Sequence, residues 1–500
     1  MRAPLAVLAI SLFAAAATAD AATPAWHVFN HEHVLGTSLE LRFAAPDPLA
    51  AEAAEAAALA EIDRLAKILS SYDPASEFRQ WSATQGEPRR VSPELFEVLA
   101  LFDAWRERTG GALNASAAVA GRLWADAART QRESAAAELA AAAALAQQRH
   151  WSLDAVARTA THLTAAPLVL NSFAKSYIID RACAAALAAG PVSAAVVNIG
   201  GDIVVRGDSA ATIALADPAA DAENDLPLAH LVARDRAIAT SGGYRRGVEL
   251  AGRHLSHLVD PRTARPVDHI RSATVVAVRA TDAGALATAL CVLPPAEGAQ
   301  LADRLGAEWL LVLADGEQVA SAGWRALEAP RPAAPVFGAV SPAAPSAGSD
   351  TEIAINFQIA SPGGGRAKRP FVAVWIEDKD HFPVRTITLW YHGNRWLPDL
   401  RSWSQADRLR AMAEGTHIAD TIASATRGPG NYTVKWDGKD AAGQPLAPGA
   451  YALCIEVARE HGTHQLIRHE LDFSGPAHVD FPANVELASA SVDYRRKAAR

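Results

Sequence analysis

The stretch "EAPRPAAPVFGAVSPAAPSAGSD", residues 328–350, constrains the fold of this chain more than any other, because periodic hydrophobicity stops there and Pro, Ala, Gly and Ser take over. A run of that composition cannot hold a core, and it predicts a semi-extended linker. At 500 residues the chain is in any case too long for one core. The linker therefore separates two units that fold around their own cores, about residues 24–327 and 351–477, with 478–500 left as a tail.

The two units differ in texture. Before the linker, "AAEAAEAAALAEIDRLAKILSSYD" carries Ala, Leu and Ile at helical spacing and predicts an amphipathic helix ending near Ser71. Ala135 to Gln148, and "RACAAALAAG" stopping at Gly190, predict two more helices. The runs "AAVVNIGGDIVVRG", "SATVVAVRA" and "AEWLLVLAD" read as strands of a partly buried sheet. Helices interleaved with such strands predict a mixed, α+β unit. After the linker, "TEIAINFQIA", "FVAVWIED", "TITLWYH", "YTVKWDG" and "YALCIEVARE" are short strand-like runs between turn residues, which predicts a small all-β sandwich. Within it, "WDGKDAAGQPLAPGAY" reads as a hairpin turning on Asp437-Gly438, Ala442-Gly443 and Pro448-Gly449.

The chain begins "MRAPLAVLAISLFAAAATADAATPAW", a positive charge at Arg2, an apolar run from Leu5 to about Ala17, and small residues Ala17-Thr18-Ala19. This predicts a signal peptide, residues 1–19, and an exported, periplasmic, soluble protein. The balance of 47 Lys plus Arg against 55 Asp plus Glu, net −8, gives no general basic surface and argues against a nucleic-acid partner. Cys183, Cys291 and Cys454 are widely spaced inside apolar patterns and read as buried thiols, although an exported protein could join one pair.

Four segments of the first unit are more polar than a purely structural element needs. "LNSFAKSYIID" sets Lys175 and Tyr177 at the start of a helix, and "VNIGGDIVV" sets Gly200, Gly201 and Asp202 just after a strand, where paired glycines admit a close ligand. "SHLVDPRTARP" crowds Ser256, His257, Asp260, Arg262 and Thr263 together; His moves protons near neutral pH and Arg grips phosphate. "TDAGALATALCVL" carries Thr288 inside an apolar helix. Singly, each has a plain structural explanation: a solvated Lys, a tight turn, a charged turn, a Thr bonded to its own backbone.

Taken together and in order, the four segments resemble the FAD:protein FMN transferase family, often called the ApbE type. "LGT" at Leu35 to Thr37, "YDPASE" at Tyr72 to Glu77 and "GGALN" at Gly110 to Asn114 add three further matches, and the likeness covers about residues 26–325. The resemblance implies that FAD is the substrate and that Mg²⁺ bridges its pyrophosphate. An acceptor Thr then takes FMN while AMP leaves. It further implies flavin contacts at Leu35, Tyr72, Asn114, Lys175, Tyr177, Asp202, Tyr244, His257 and Arg262, catalytic roles for His257, Asp260 and Lys175, and a metal held by the Ala174 carbonyl, Thr288 and Asp282.

The departures concern that metal. The family's Gly-Gly-Ile-Ala-Lys-Gly is Asn171-Ser172-Phe173-Ala174-Lys175-Ser176 here, which adds bulk where the dinucleotide is expected, and the family Asp of "GAFD" is Asn114. The family's metal Asp stands four residues before the helix Thr, on the same helix face, where this chain has Gly284. Mg²⁺ usually needs a carboxylate anchor, and Asp282 is the nearest replacement.

The second unit resembles an uncharacterised domain often found with these transferases. In "DTIASATRG", Asp420, Ile422, Ser424, Ala425 and Thr426 follow the family's acceptor pattern, with Ala423 and Ser424 replacing its usual hydroxyl residue and Gly. Thr426 is therefore the candidate site of covalent FMN, making the chain its own acceptor or that of a second copy. Two rivals remain open: a non-catalytic flavin-binding partner in periplasmic electron transfer, and a sandwich that docks a membrane redox partner, or exported acceptor, which the first unit modifies instead of itself, with Trp390, Trp396 and Trp403 as anchors although at least some of them fit a sandwich core.

Overall fold

The computed structural model describes residues 25–329 and 351–496, apart from 221–226, 245, 361–369, 392–393, 415–422, 425–426, 442, 447–449, 460–462 and 472–477. The expected signal peptide, most of the linker and Thr426 lie outside the described residues.

The first unit is built on eight strands that hydrogen-bond in chain order: β1 (Ala25–Val34), β2 (Thr37–Ala45), β3 (Ala194–Ile199), β4 (Asp202–Gly207), β5 (Arg236–Gly242), β6 (Ile270–Ala277), β7 (Glu308–Leu313) and β8 (Gln318–Ala320). Every neighbouring pair is antiparallel. Side chains alternate across the sheet. Val197, Val204, Ala239, Val275 and Leu311 enter the main core, while Val196, Val205, Ile238, Val276 and Leu310 enter a second core with Ile213, Leu231 and Trp324. The sheet is thus covered on both faces through its centre, more deeply than the partly buried sheet expected. That is why its strands read as continuous apolar runs.

Helices supply the main core. Helix α1 (Pro48–Leu69) starts where the Asp47 side chain accepts from Ala50 N, and it buries Ala51, Ala54, Ala58, Ile62, Leu65 and Leu69 at helical spacing. Helix α2 (Pro93–Arg108) is capped by Ser92, and α3 (Ala118–Thr130) follows. Helix α4 (Ala174–Ala188) packs along α1 and against α5 (Ala280–Val292), which lies on β5 and β6 and is buried on nearly every side; α6 (Pro295–Arg304) follows it.

The second unit is the expected sandwich. One sheet orders β13 (Gly430–Trp436), β9 (Thr351–Ile359), β17 (Leu487–Arg496) and β16 (His478–Phe481). The other orders β12 (Ala423–Ser424), β11 (Pro383–Trp390), β10 (Phe371–Asp378), β14 (Tyr451–Ala458) and β15 (His464–Leu471). Ile353, Ile355 and Val492 of the first sheet meet Val374, Ile376, Leu453 and Ile455 of the second in one core.

Three expectations are corrected. The stretch assigned to a tail contains β17, which pairs with β9 from Thr351↔Arg496 onward and is a central strand. The segment read as a hairpin does turn at Gly438 and Gly443, both at positive φ, but the strands flanking it, β13 and β14, belong to opposite sheets. Helix α7 (Arg401–Glu414), not foreseen, packs Leu400 and Trp403 against Phe371, Trp375 and Leu389. Trp390 and Trp403 are each 1% exposed and are core residues, not docking anchors; the side chain of Trp396 lies outside the described set. The three cysteines are buried and free, and burial pushes each thiol up to about 12.

Candidate functional site

The tight turn between β1 and β2 uses Leu35 and Gly36, both at positive φ, as a two-residue hairpin connection requires. It carries Thr37 onto the next turn: a Cβ at Gly200 would lie 2.8 Å from the Thr37 Oγ1, so only glycine lets the two turns touch. Gly200 and Gly201 reverse the chain between β3 and β4, with Gly201 N donating to the Asn198 side chain at 3.1 Å. Asp202 leaves this turn toward α4, where its Oδ2 accepts from Ser176 Oγ at 3.2 Å and faces Lys175 Nζ at 3.8 Å.

Helix α4 begins without a side-chain cap, which leaves first-turn N–H groups directed out of its end. Phe173, just before it, is fully buried and stacks on Phe102 at 4.3 Å between centroids. Its bulk therefore faces the core rather than the site, contrary to the expectation from sequence. Asn171 is exposed and donates to the Tyr72 Oη at 2.5 Å. Across the gap, α5 brings Thr288, whose Oγ1 lies 3.5 Å from the Ser172 carbonyl and 3.4 Å from Ser241 Oγ on β5. Gly284, one turn earlier, abuts Ser176: a Cβ there would lie 2.2 Å from Ser176 Oγ.

Five separate segments thus converge: residues 35–37, 171–176, 200–202, 241 and 284–288. Beyond Ser241, glycines 242 and 243 leave room for the Tyr244 ring and the Ser256 hydroxyl. His257 Nδ1 lies 3.1 Å from the Arg246 carbonyl. A carbonyl only accepts, so Nδ1 carries the hydrogen and Nε2 keeps its lone pair. Desolvation by the surrounding loop lowers the His257 pKa from 6.5, although one side of the ring is open to solvent. The ring is neutral at pH 7 and can take a proton.

The Asp202 carboxyl is raised above 3.8, first by burial, with Lys175 and Ser176 pulling the other way. A carboxylate held this way, with so little compensation, is the electrostatic mark of the site.

Other sequence-derived candidates are already committed within the protein. The Asn114 side chain donates to the Ala146 carbonyl at 2.8 Å and accepts from Ser116, tying a short helix to the helix Ala136–Ala146. Tyr177 Oη donates to Glu97 at 2.7 Å, with Arg181 over its ring, so it fastens α4 to α2. Asp260 grips Arg262 of its own turn through Nε and Nη2, which ties both to the shape of that loop. Ser241, singled out by no sequence argument, is central here, as is Ser176, noted in the sequence only as added bulk where the family has glycine.

The magnesium set expected from sequence does not fit. At about 100° per residue, Asp282 sits roughly 120° around α5 from Thr288, whereas Gly284 sits within about 40° of it. Asp282 instead approaches Arg279, at 3.9 Å. The carbonyl that Thr288 meets is that of Ser172, at 3.5 Å, two residues before Ala174. The two groups that Thr288 itself meets, the Ser172 carbonyl and the Ser241 hydroxyl, are neutral, and among the described residues no three His, Cys, Asp or Glu side chains cluster to hold a metal ion.

A sequence profile of the ApbE family matches residues 35–311, and one described as "Predicted periplasmic protein (DUF2271)" matches 352–489. A Klebsiella pneumoniae FAD:protein FMN transferase is 26% identical over 294 residues, covering 57% of this chain and 83% of that protein. The Vibrio cholerae FAD:protein FMN transferase is 29% identical over 255 residues, 49% of this chain and 75% of its own. The crystal structure of the apo flavinyl transferase ApbE of Pseudomonas stutzeri superposes with TM-score 0.52 at 25% identity, covering 61% of this chain and 97% of its own. The Thermotoga maritima ApbE protein gives TM-score 0.55 at 24% identity, with 61% and 100% covered, and shows the shared fold. With the profile spanning the turns and helices that build the site, the chain belongs to the ApbE family.

Proposed function

We propose that the protein is an FAD:protein FMN transferase of the periplasm, and that its acceptor is Thr426 of its own second unit or of another copy. The observation that carries this reading is the convergence of the five segments around Asp202, Lys175 and Thr288 at the uncapped start of α4.

In this reading the α4 start and Lys175 face the pyrophosphate of FAD, because a helix N-terminus and an ammonium both favour anions. Asp202, Tyr72 and Tyr244 position the flavin half. His257 Nε2 accepts the proton of the acceptor Thr as its oxygen bonds to the FMN phosphorus; the bond from that phosphorus to the bridging oxygen breaks, and AMP leaves with that oxygen. Asp260 and Arg262 hold the loop that carries His257. Magnesium at Ala174, Asp282 and Thr288 is not part of this reading, since the donors do not fit it.

Thr426 lies outside the described residues, but its flanks have a place in the fold. Ala423 and Ser424 form the edge strand β12, parallel to Leu389 and Trp390 of β11, and Arg427 stacks over the Trp390 ring at 5.1 Å. The small residues beside Thr426 in the sequence suit the entry of its hydroxyl into a narrow active site. Export rests on the N-terminal leader and the periplasmic description of the second family; among the described residues, no helix is long and apolar enough to cross a membrane.

One observation favours a second reading. Gly284 in place of a carboxylate suits a relative that binds FAD as an electron-transfer partner without cleaving it. Incubation with FAD and a synthetic acceptor peptide, followed by chromatography for AMP, separates the two. AMP released in step with flavinylated peptide supports transfer, whereas FAD bound but intact supports the second reading.

A further inference from the structure

The family resemblance implies a glycine where this chain has Ser176 and an aspartate where it has Gly284, two differences in opposite senses. The two residues are in contact. A Cβ at 284 would lie 2.2 Å from Ser176 Oγ, 3.1 Å from Ser176 Cβ and 3.4 Å from Phe173 Cβ. Ser176 is 1% exposed, and its hydroxyl is spent on Asp202 at 3.2 Å. To admit a side chain at 284 the hydroxyl must rotate away and give up that bond. Even then Ser176 Cβ, at 3.1 Å, stays closer than ordinary packing allows, while Phe173 Cβ at 3.4 Å is already in contact and offers no spare room on that side.

We infer that Ser176 and Gly284 form one exchange unit that closes the divalent-cation position between α4 and α5. The serine hydroxyl fills the volume that a carboxylate stem would need, and it supplies Asp202 with a hydrogen-bond donor. A side chain at 284 displaces the Ser176 hydroxyl from Asp202 and still crowds Ser176 Cβ, so one substitution alone restores the cation site poorly. The pair sits in the site proposed to carry FMN transfer, yet cation binding is read without turnover, so either conclusion can fail while the other stands.

The test uses Mn²⁺ as probe, followed by electron paramagnetic resonance on the full chain. It compares wild type, Gly284→Asp, Ser176→Gly and the double variant Ser176→Gly/Gly284→Asp. The double variant is expected to bind one Mn²⁺ at least about tenfold more tightly than each of the other three. Equal binding by wild type and the double variant would overturn the inference, as would equal binding by Gly284→Asp alone or no binding by any of the four. A pair without charge guards against misfolding. Gly284→Ala is expected to lower the melting temperature of the first unit by roughly 2–6 °C, and Ser176→Gly in the same chain to recover most of that loss. If Gly284→Ala melts with wild type, the steric exclusion is refuted.

Discussion

The two units bury carboxylates in opposite ways. In the sandwich, Glu486 is 1% exposed and meets Arg459 Nε through both oxygens, with Thr463 donating as well. Glu456, fully buried, accepts from the N–H groups of Ser402 and Trp403 at the start of α7 and contacts His464 at 2.5 Å. Glu377 is held by Arg468 at 2.6 Å and His381 at 2.8 Å. Asp202 in the first unit has one hydroxyl and one distant ammonium, and its carboxyl is raised in consequence. Saturated carboxylates fasten a sheet to a helix or loop. An under-saturated one is a cost to the fold of the kind that ligand sites carry.

The largest effect expected on the first-unit side of this contrast is at His257. His257→Gln should lower FMN transfer by about 10²–10⁴-fold, measured by single-turnover AMP release. Because desolvation lowers its pKa from 6.5, the wild-type rate should hold as pH falls past 6.5 and decline only below that. The sign for stability is the same. Below 6.5 the unfolded ring gains a proton that the folded ring refuses, so its contribution is lost as pH falls.

On the sandwich side, Glu486→Ala leaves Arg459 buried without its carboxylate and should cost about 3–5 kcal/mol, read as an earlier second-unit transition in urea. Asp202→Asn is the sharpest test of the contrast. Between pH 3.8 and the raised value, the folded chain holds a proton that the unfolded chain has lost, so stability falls as pH rises through that window. The variant should therefore melt no lower than wild type at pH 7, with the difference shrinking toward pH 3.8, while FAD affinity by flavin fluorescence drops on the order of 10–100-fold. A buried Asp202 with a purely structural role would instead lose stability and keep FAD. The smallest effect belongs to Tyr177→Phe, which should cost about 0.5–1.5 kcal/mol of first-unit stability and leave transfer unchanged, since its hydroxyl serves only Glu97.

Much of this was legible in the sequence. The linker, the change of texture across it, α1, and strands β3, β6 and β7 are local patterns, and local patterns are what periodicity reports. What escaped depends on partners far along the chain. β17 reads as a polar tail because its pairing with β9 is not written in its own residues. The turns at Gly438 and Gly443 are correctly marked by glycine, but which sheet receives each flanking strand is a matter of the whole sandwich. In the site, Lys175 and Asp202 face each other at the start of α4 and Thr288 meets the Ser172 carbonyl, whereas Asn114 and Tyr177 bond to Ala146 and Glu97, partners far along the chain. Ser176 reads in the sequence only as added bulk, because its contact with position 284 is not written in its own neighbours.

The central claim is FMN transfer, and intact mass of the exported protein after incubation with FAD tests it most directly. Wild type, Thr426→Val, and wild type with an added acceptor peptide are compared, with in-gel flavin fluorescence alongside. The account predicts an FMN-sized gain on wild type that Thr426→Val abolishes. No gain on either chain and none on the peptide would contradict it, and would leave the protein a flavin binder that does not transfer.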